Sequence, residues 1–218
     1  MNNSNHSIAR EAIWIIPGIL IAAIIWLVFF RPTPVIPPEL TQATLLPEGR
    51  AIQPFQLSTG SGEAFTLENL KGHWSFLFFG YTHCPDICPT TLQDLAASIK
   101  IMASTPSSTM IPQVVFISVD PERDNGQQLS DYVQYFNNDF IGVTGSENEL
   151  LALSRQLGII YARVEEKSSE DYLVDHSAAL LLFDPEGHFR AVFGAPHKAD
   201  NIAHDLPLIQ AWYGLVND

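Results

Sequence analysis

Cysteine is scarce in this chain: two residues among 218, Cys84 and Cys88. That excludes a disulfide-stapled scaffold, which needs more cysteines at wider spacing. A bridge between these two would close a tiny loop and constrain little of the unfolded chain. Basic residues are few as well. Lys and Arg number 11 against 24 Asp and Glu, for a formal net charge of −13. Nucleic acid is thereby excluded as a partner class, because phosphate binding draws on clustered Lys and Arg. The acidic balance serves solubility first, and a cationic partner or metal ion second. Charge is low overall, 16% against 46% hydrophobic residues. Disorder needs the opposite balance. Internal repeats and long low-complexity tracts are lacking, and the length suits one core domain with appendages.

A long apolar run is present. Residues 12–30 read AIWIIPGILIAAIIWLVFF, with no charge. At about 1.5 Å per residue the run matches the roughly 30 Å hydrocarbon core of a bilayer. Arg10, Glu11 and Arg31 flank it, and Trp14 and Trp26 stand near its ends, where indoles favour the interface. A cleaved signal peptide would show a shorter run and a small-residue cleavage site. Here RPTPVIPPE follows, so an uncleaved anchor is expected. Arg10 and Arg31 nearly balance, so the positive-inside rule does not set its orientation. Pro32, Pro34, Pro37, Pro38 and Pro47 then give an extended, semi-rigid spacer. The expected organisation is a short cytoplasmic N-terminus over 1–11, a transmembrane helix over 12–30, a proline-rich linker over 31–47 and a folded domain over 48–218.

Within that domain, 51–57 and 64–67 read as a hairpin across Gly60-Ser61-Gly62. SFLFFGY over 75–81 and QVVFISV over 113–119 read as strands buried on both faces. Residues 89–102, 127–136 and 147–157 carry helical apolar stripes, the last stopped by Gly158. Residues 141–144, 159–164, 178–183 and 189–193 are further strand candidates. The last two flank Asp184-Pro185-Glu186-Gly187, a hairpin turn. A closing helix over 201–212 contains Pro207, which is expected to kink or restart it. Strand, helix, strand, then a hairpin and a final helix is the order of a thioredoxin-like α/β domain, a central mixed sheet flanked by helices.

Tyr81-Thr82-His83-Cys84-Pro85-Asp86-Ile87-Cys88-Pro89 lies between the first buried strand and the first long helix. Open α/β sheets place their sites there, beyond the carboxyl ends of strands. A helix N-terminus favours thiolate, the form that attacks disulfides and binds metal. The spacing is CxxxC, wider than the redox CxxC. Pro85 and Pro89 are expected to keep it from being regular helix, so the pair can close to a disulfide or open to hold a metal. Two thiolates call for a third ligand, and histidine suits copper and zinc. The candidates are His6, His73, His83, His176, His188, His197 and His204. His6 precedes the anchor. His188 and His204 read as surface residues, His73 and His197 as loop residues, and His83 as a neighbour that tunes Cys84. His176 falls just before an apolar strand. Spacing alone does not choose among them.

FGYTHCPDICP at 79–89, SVDPERD at 118–124 and DYLVDHSAALLLFDPEGHF at 171–189 occur in the order found in the Sco (SenC) family, which the chain closely resembles. Members are copper proteins that help assemble cytochrome c oxidase. The resemblance implies a thioredoxin fold and copper, as Cu(I) or Cu(II), held by Cys84, Cys88 and His176. It implies the copper-centre subunit of the oxidase and other copper chaperones as partners. One departure is visible: after SVDPERD the family often continues Thr-Pro, and this chain has Asn125-Gly126. Copper-enzyme assembly and disulfides belong outside the reducing cytosol. The expected location is therefore a bacterial inner membrane, with a single pass and the C-terminal domain in the periplasm.

Two functions follow as alternatives. One is a metallochaperone for the binuclear copper centre, which needs no turnover. The other is a thiol–disulfide oxidoreductase, in which Cys84 attacks and Cys88 resolves, reducing the cysteines of the same oxidase site or acting in redox signalling. A thiol peroxidase is weaker, with no separate signature. Asp86 reads as a cap for the following helix, and Asp120, Arg123 and Asp124 as a loop tied by local ion pairs. Phe76, Phe78 and Phe79 read as core, and Tyr81 as packing or site lining. Asp175 would point away from its neighbour His176 in an extended segment, toward solvent.

Overall fold

The computed structural model describes residues 19–21, 26, 36–105, 109–168 and 171–217, with backbone alone at 165–168, 171–172, 175–176 and 217. The chain divides into two units, Met1–Ile36 and Pro37–Asp218. Of the first, residues 19–21 and 26 are helical. The membrane span expected over 12–30 lies mostly outside the described residues, among which no helix is long and apolar enough to cross a membrane.

The second unit is built on an eight-stranded mixed sheet in the order β1-β10-β9-β4-β5-β6-β2-β3. The strands are β1 (Ala43–Arg50), β2 (Gln56–Thr59), β3 (Ala64–Thr66), β4 (Ser75–Gly80), β5 (Gln113–Ser118), β6 (Ile141–Thr144), β9 (Leu180–Phe183) and β10 (Phe189–Phe193). Strands β7 (Tyr161–Ser168) and β8 (Asp171–His176) form a separate antiparallel hairpin. The helices are α1 (Ile87–Ser104), α2 (Gly126–Phe136), α3 (Glu147–Leu157) and α4 (Ala199–Asn217). β4, β5 and β6 run parallel, and β9 lies antiparallel beside β4.

The central strands alternate between two cores. Phe76 and Phe78 of β4, Val114 and Phe116 of β5, and Leu180 and Leu182 of β9 face Leu92 and Leu95 of α1, Leu129 and Val133 of α2, and Ile202, Leu206 and Ile209 of α4. Leu77, Phe79, Val115, Ile117, Leu181 and Phe183 face the opposite core, with Leu150, Leu153 and Leu157 of α3 and Val174 of β8. Both faces are apolar because both are covered, which is why these strands read as continuous hydrophobic runs. Each such side chain contributes about 1.5–3 kcal/mol on burial.

The sheet starts earlier than the expected boundary at 47/48. β1 lies within 43–50 and pairs antiparallel with β10. Its entry is fixed by one buried carboxylate: Asp205 of α4 accepts the backbone N–H groups of Thr41, Gln42 and Ala43 at 2.8, 2.7 and 2.9 Å. Burial works against ionisation of Asp205, but hydrogen bonds from His204 and these amides outweigh it and hold the acid below its usual range. β8 is a strand where none was expected. α4 runs from Ala199 to Asn217 with Pro207 inside it, one continuous helix.

Candidate metal centre

β4 ends at Gly80 and α1 begins at Ile87, so the cysteine motif occupies the carboxyl end of a central strand. Cys84 lies in the connecting loop and is half-buried; Cys88 is in the first turn of α1 and fully buried. Both are free thiols. The motif is thus half helix, where a loop was expected throughout. Pro89 is accommodated because the first helical turn needs no N–H from it. Asp86 stands at the N-cap position but its side chain makes no capping hydrogen bond. Its carbonyl accepts from the Thr90 N–H and hydroxyl instead.

The two thiols touch. A hydrogen bond to Cys84, then burial, push the Cys88 thiol far above its ordinary range, against the opposing Tyr81 backbone N–H. Cys88 therefore keeps its proton at neutral pH until a ligand or reaction partner displaces it.

Gly80 makes room for this arrangement. A Cβ there would lie 2.7 Å from Cys88 Sγ and 2.7 Å from Phe116 Cε2. We expect Gly80→Ala to destabilise the domain by about 1–3 kcal/mol through overpacking and to displace Cys88. Chemical denaturation together with thiol-alkylation rates checks this, and wild-type values for both would contradict the packing described.

The loop is held by a second motif. Asp120 and Asp124 are fully buried. Asp124 accepts from the Thr82 N–H at 2.6 Å, from the Thr82 hydroxyl and from the Ser118 hydroxyl at 2.7 Å. His83 Nδ1 lies 3.5 Å from the same carboxylate. Arg123 pairs with Asp120 and places its guanidinium 5.8 Å from the Tyr81 ring centre. The SVDPERD segment is thus a tied loop, as read from sequence. Its long-range bond to Thr82, next to the cysteines, is what sequence did not reveal.

Tyr81 connects the cysteines to the hairpin. Its backbone N–H faces Cys88. Its hydroxyl accepts from the backbone of Val174, two residues before His176. Burial raises the Tyr81 hydroxyl pKa, opposed by that bond. Val174, Tyr81, Val119 and Ile159 share one core, with Cys84 packed against it. The His176 backbone, paired with Tyr161, ends β8. The side chains of Asp175 and His176 lie outside what the structure describes.

The other histidines sort clearly. His6 is outside the described residues. His73 and His83 are exposed. His204 bonds to Asp205 at 2.9 Å. His197, expected in a loop, lies in the one between β10 and α4 and is buried there, with Nε2 2.6 Å from the Ala178 carbonyl. His188 is half-buried and joins Asp184 and Glu186 in a group of ligand-type side chains. That group is a structured turn. Asp184 accepts from the Glu186 and His188 N–H groups at 3.0 and 2.9 Å and from Arg190 at 3.0 and 2.6 Å, so its lone pairs are committed.

Residues 44–209 match the SCO1/SenC family model. Among curated proteins, the chain is 44% identical over 149 residues to the mitochondrial Protein SCO1 homolog 1 of Arabidopsis thaliana, covering 68% of this chain and 44% of that protein. It is 42% identical over 166 residues to a putative copper-binding protein of Stutzerimonas stutzeri, covering 76% and 79%. The match to the mitochondrial human SCO1 homolog is 36% identical over 155 residues and spans 50% of that protein. The chain thus covers about half the length of the mitochondrial relatives. Among solved structures, Arabidopsis ScoI with copper bound superposes with a TM-score of 0.69 at 41% identity, over 74% of this chain and 98% of that one. Yeast Sco1 with copper bound gives 0.65 at 30% identity, over 78% and 90%. The mixed sheet flanked by helices is the thioredoxin-like arrangement of those proteins, and the chain belongs to the SCO1/SenC family.

Proposed function

We propose that the chain binds copper through Cys84, Cys88 and His176 and delivers it during assembly of the binuclear copper centre of cytochrome c oxidase. Copper is cargo here. The observation that carries this reading is the link made by Tyr81, which touches Cys88 through its backbone and the His176-bearing strand through its hydroxyl. Relatives described as copper-binding or solved with copper bound support the choice of metal. The donor set agrees: thiolates suit Cu(I), and an added imidazole makes Cu(II) tolerable. Ligands drawn from a helix start and a distant hairpin let the site open by moving one element. A cavity of about 270 Å³ behind that hairpin, lined by Val119, Leu150, Tyr161 and Val174, gives it room. In the cell, the apolar run over 12–30 anchors the domain to a bacterial inner membrane, with residues from Pro37 onward in the periplasm.

Because Cys88 holds its proton and metal binds thiolate, copper uptake must expel protons. Acidification then opposes binding, since protons compete for the same sulfurs. Titration calorimetry of Cu(I) at pH 7, repeated in buffers of different ionisation enthalpy, is expected to give about two protons released per metal when both thiols start protonated. Proton-neutral binding would exclude Cys88 as a ligand.

The touching thiols support a second reading, thiol–disulfide exchange. Cys84, the more accessible sulfur, attacks a client disulfide and forms a mixed disulfide. Cys88 then displaces the client sulfur. The client gains two thiols, and Cys84 and Cys88 are left as a disulfide. This reaction does not use residue 176. Dithiol reductase activity of the copper-free protein is therefore expected to survive His176→Ala. No activity toward an oxidised copper-site fragment of the oxidase would remove the second reading and leave the first.

A further inference from the structure

Residue 176 is bracketed. Two residues before it, the Val174 backbone is held by the Tyr81 hydroxyl. Two residues after it, the Ala178 carbonyl is held by the His197 ring at 2.6 Å. Ser177, between them, bonds back into the hairpin's own foot: its N–H donates to the Ile160 carbonyl at 2.9 Å, and its hydroxyl accepts from the Ile160 N–H at 3.2 Å. That contact is internal to the hairpin and its flank, whereas the contact from His197 comes from outside it, from the segment between β10 and α4.

We propose that His197 is a positioning residue for the copper ligand His176, fixing the Ala178 carbonyl and thereby the direction in which the end of β8 presents residue 176. The proposal rests on His176 being a ligand. The tautomer follows from the surrounding bonds. The Gln42 amide nitrogen lies 2.6 Å from the Gly194 carbonyl, 2.9 Å from the Pro196 carbonyl and 3.4 Å from His197 Nδ1. Turning that amide over would set its oxygen against two carbonyl oxygens, so nitrogen stays on this side with its two protons on those carbonyls, and Oε1 is left buried without a partner among the described residues. The Ala178 carbonyl can only accept, so the ring proton sits on Nε2, aimed at Ala178, and Nδ1 is bare in the neutral ring. Only 7% of His197 is exposed. Burial lowers its pKa, opposed by the Ala178 bond and by Asp94 of α1, so the ring is neutral at physiological pH. A desolvated hydrogen bond sets geometry more firmly than an exposed one.

The test uses the full chain in detergent, loaded with Cu(II), and follows release to a chelator by loss of the sulfur-to-copper charge-transfer band. Partners that orient a metal ligand through hydrogen bonds typically change metal affinity by 10–100-fold when removed, so His197→Ala is expected to speed Cu(II) release by about 10-fold. Cu(I), held chiefly by two thiolates, is expected to bind as in wild type. His197→Gln, whose amide N–H reaches the same carbonyl, is expected to restore slow release. A wild-type release rate in His197→Ala overturns the proposal. So does equal acceleration in His197→Ala and His197→Gln, which would reduce the role to packing. If His197→Ala does not fold, His197→Gln is compared with Gln42→Ala, which removes the bonds holding the Gly194 and Pro196 carbonyls and so loosens the segment that carries the ring. Slow release in the first and fast release in the second is expected, and equal rates overturn the proposal. The His176→Ala variant separates the two levels. Retained Cu(II) there removes the ligand reading itself, whereas loss of Cu(II) there with a wild-type rate in His197→Ala removes only the positioning role.

Discussion

Replacing His176 with alanine is expected to abolish stable Cu(II) binding while leaving the fold and Cu(I) binding in place. The expectation comes from ligand softness. Two thiolates satisfy Cu(I), but Cu(II) needs a harder nitrogen donor. Removing even an outer partner of a metal ligand costs 10–100-fold, so losing the ligand is expected to cost more than about 100-fold. The fold is spared because residue 176 ends β8, where backbone pairing to Tyr161 does not depend on side-chain identity. The eight-stranded sheet does not include β8. Thermal melts, circular dichroism and separate anaerobic titrations with Cu(I) and Cu(II) check all three parts. A variant that binds Cu(II) as tightly as wild type would show that the ligand set is wrong.

The second large effect is expected at Asp124. Its buried carboxylate accepts from the Thr82 N–H, the Thr82 hydroxyl and the Ser118 hydroxyl. Asp124→Ala strands those donors, of which the Ser118 hydroxyl is fully buried and the two of Thr82 are partly buried. A buried unsatisfied donor costs about 1–3 kcal/mol, and each bond to a charged group contributes about 1.5–3 kcal/mol. A loss of about 3–5 kcal/mol is therefore expected, in line with breaking a buried charged contact by removing one partner. Thr82 is two residues from Cys84, so the loop is expected to loosen and Cys84 to alkylate faster. Urea denaturation and thiol trapping read the two effects. Destabilisation without a change at Cys84 would mean that Asp124 supports the sheet end and not the cysteine loop.

The central fold was legible because its strands carry their burial in their composition. SFLFFG and QVVFIS are apolar on both faces since both faces are covered, and they fall where expected as β4 and β5. α3 runs over the expected residues, Glu147–Leu157, because its ends are chemically marked. Ser146 and Glu149 form a capping box, and Gly158 takes the left-handed conformation at φ 73°. β1 was hidden. It is only partly buried, it lies beside the proline-rich segment, and its partner β10 is far along the chain. Nothing local encodes that pairing; the Asp205 carboxylate on α4 supplies it. β8 was hidden because DYLVDH mixes charged and apolar residues in a strand that buries Val174 and exposes Leu173.

The site shows the same division. CxxxC between a buried strand and a helix was readable as thiolate chemistry, and the structure brings the thiols together. The choice of His176 among seven histidines came from family resemblance, not from spacing. The roles of Tyr81, Asp124 and His197 depend on contacts distant in sequence, Tyr81 with Val174, Asp124 with Thr82 at 42 residues and His197 with Ala178 at 19. Such contacts leave no periodic signal in a single sequence.

X-ray absorption at the copper edge of the full chain loaded with Cu(II) tests the ligand set most directly. Two sulfur scatterers and one imidazole are expected in wild type, with the imidazole signature gone in whatever copper His176→Ala retains. A spectrum without two sulfurs, or an imidazole that persists undiminished in His176→Ala, would contradict it.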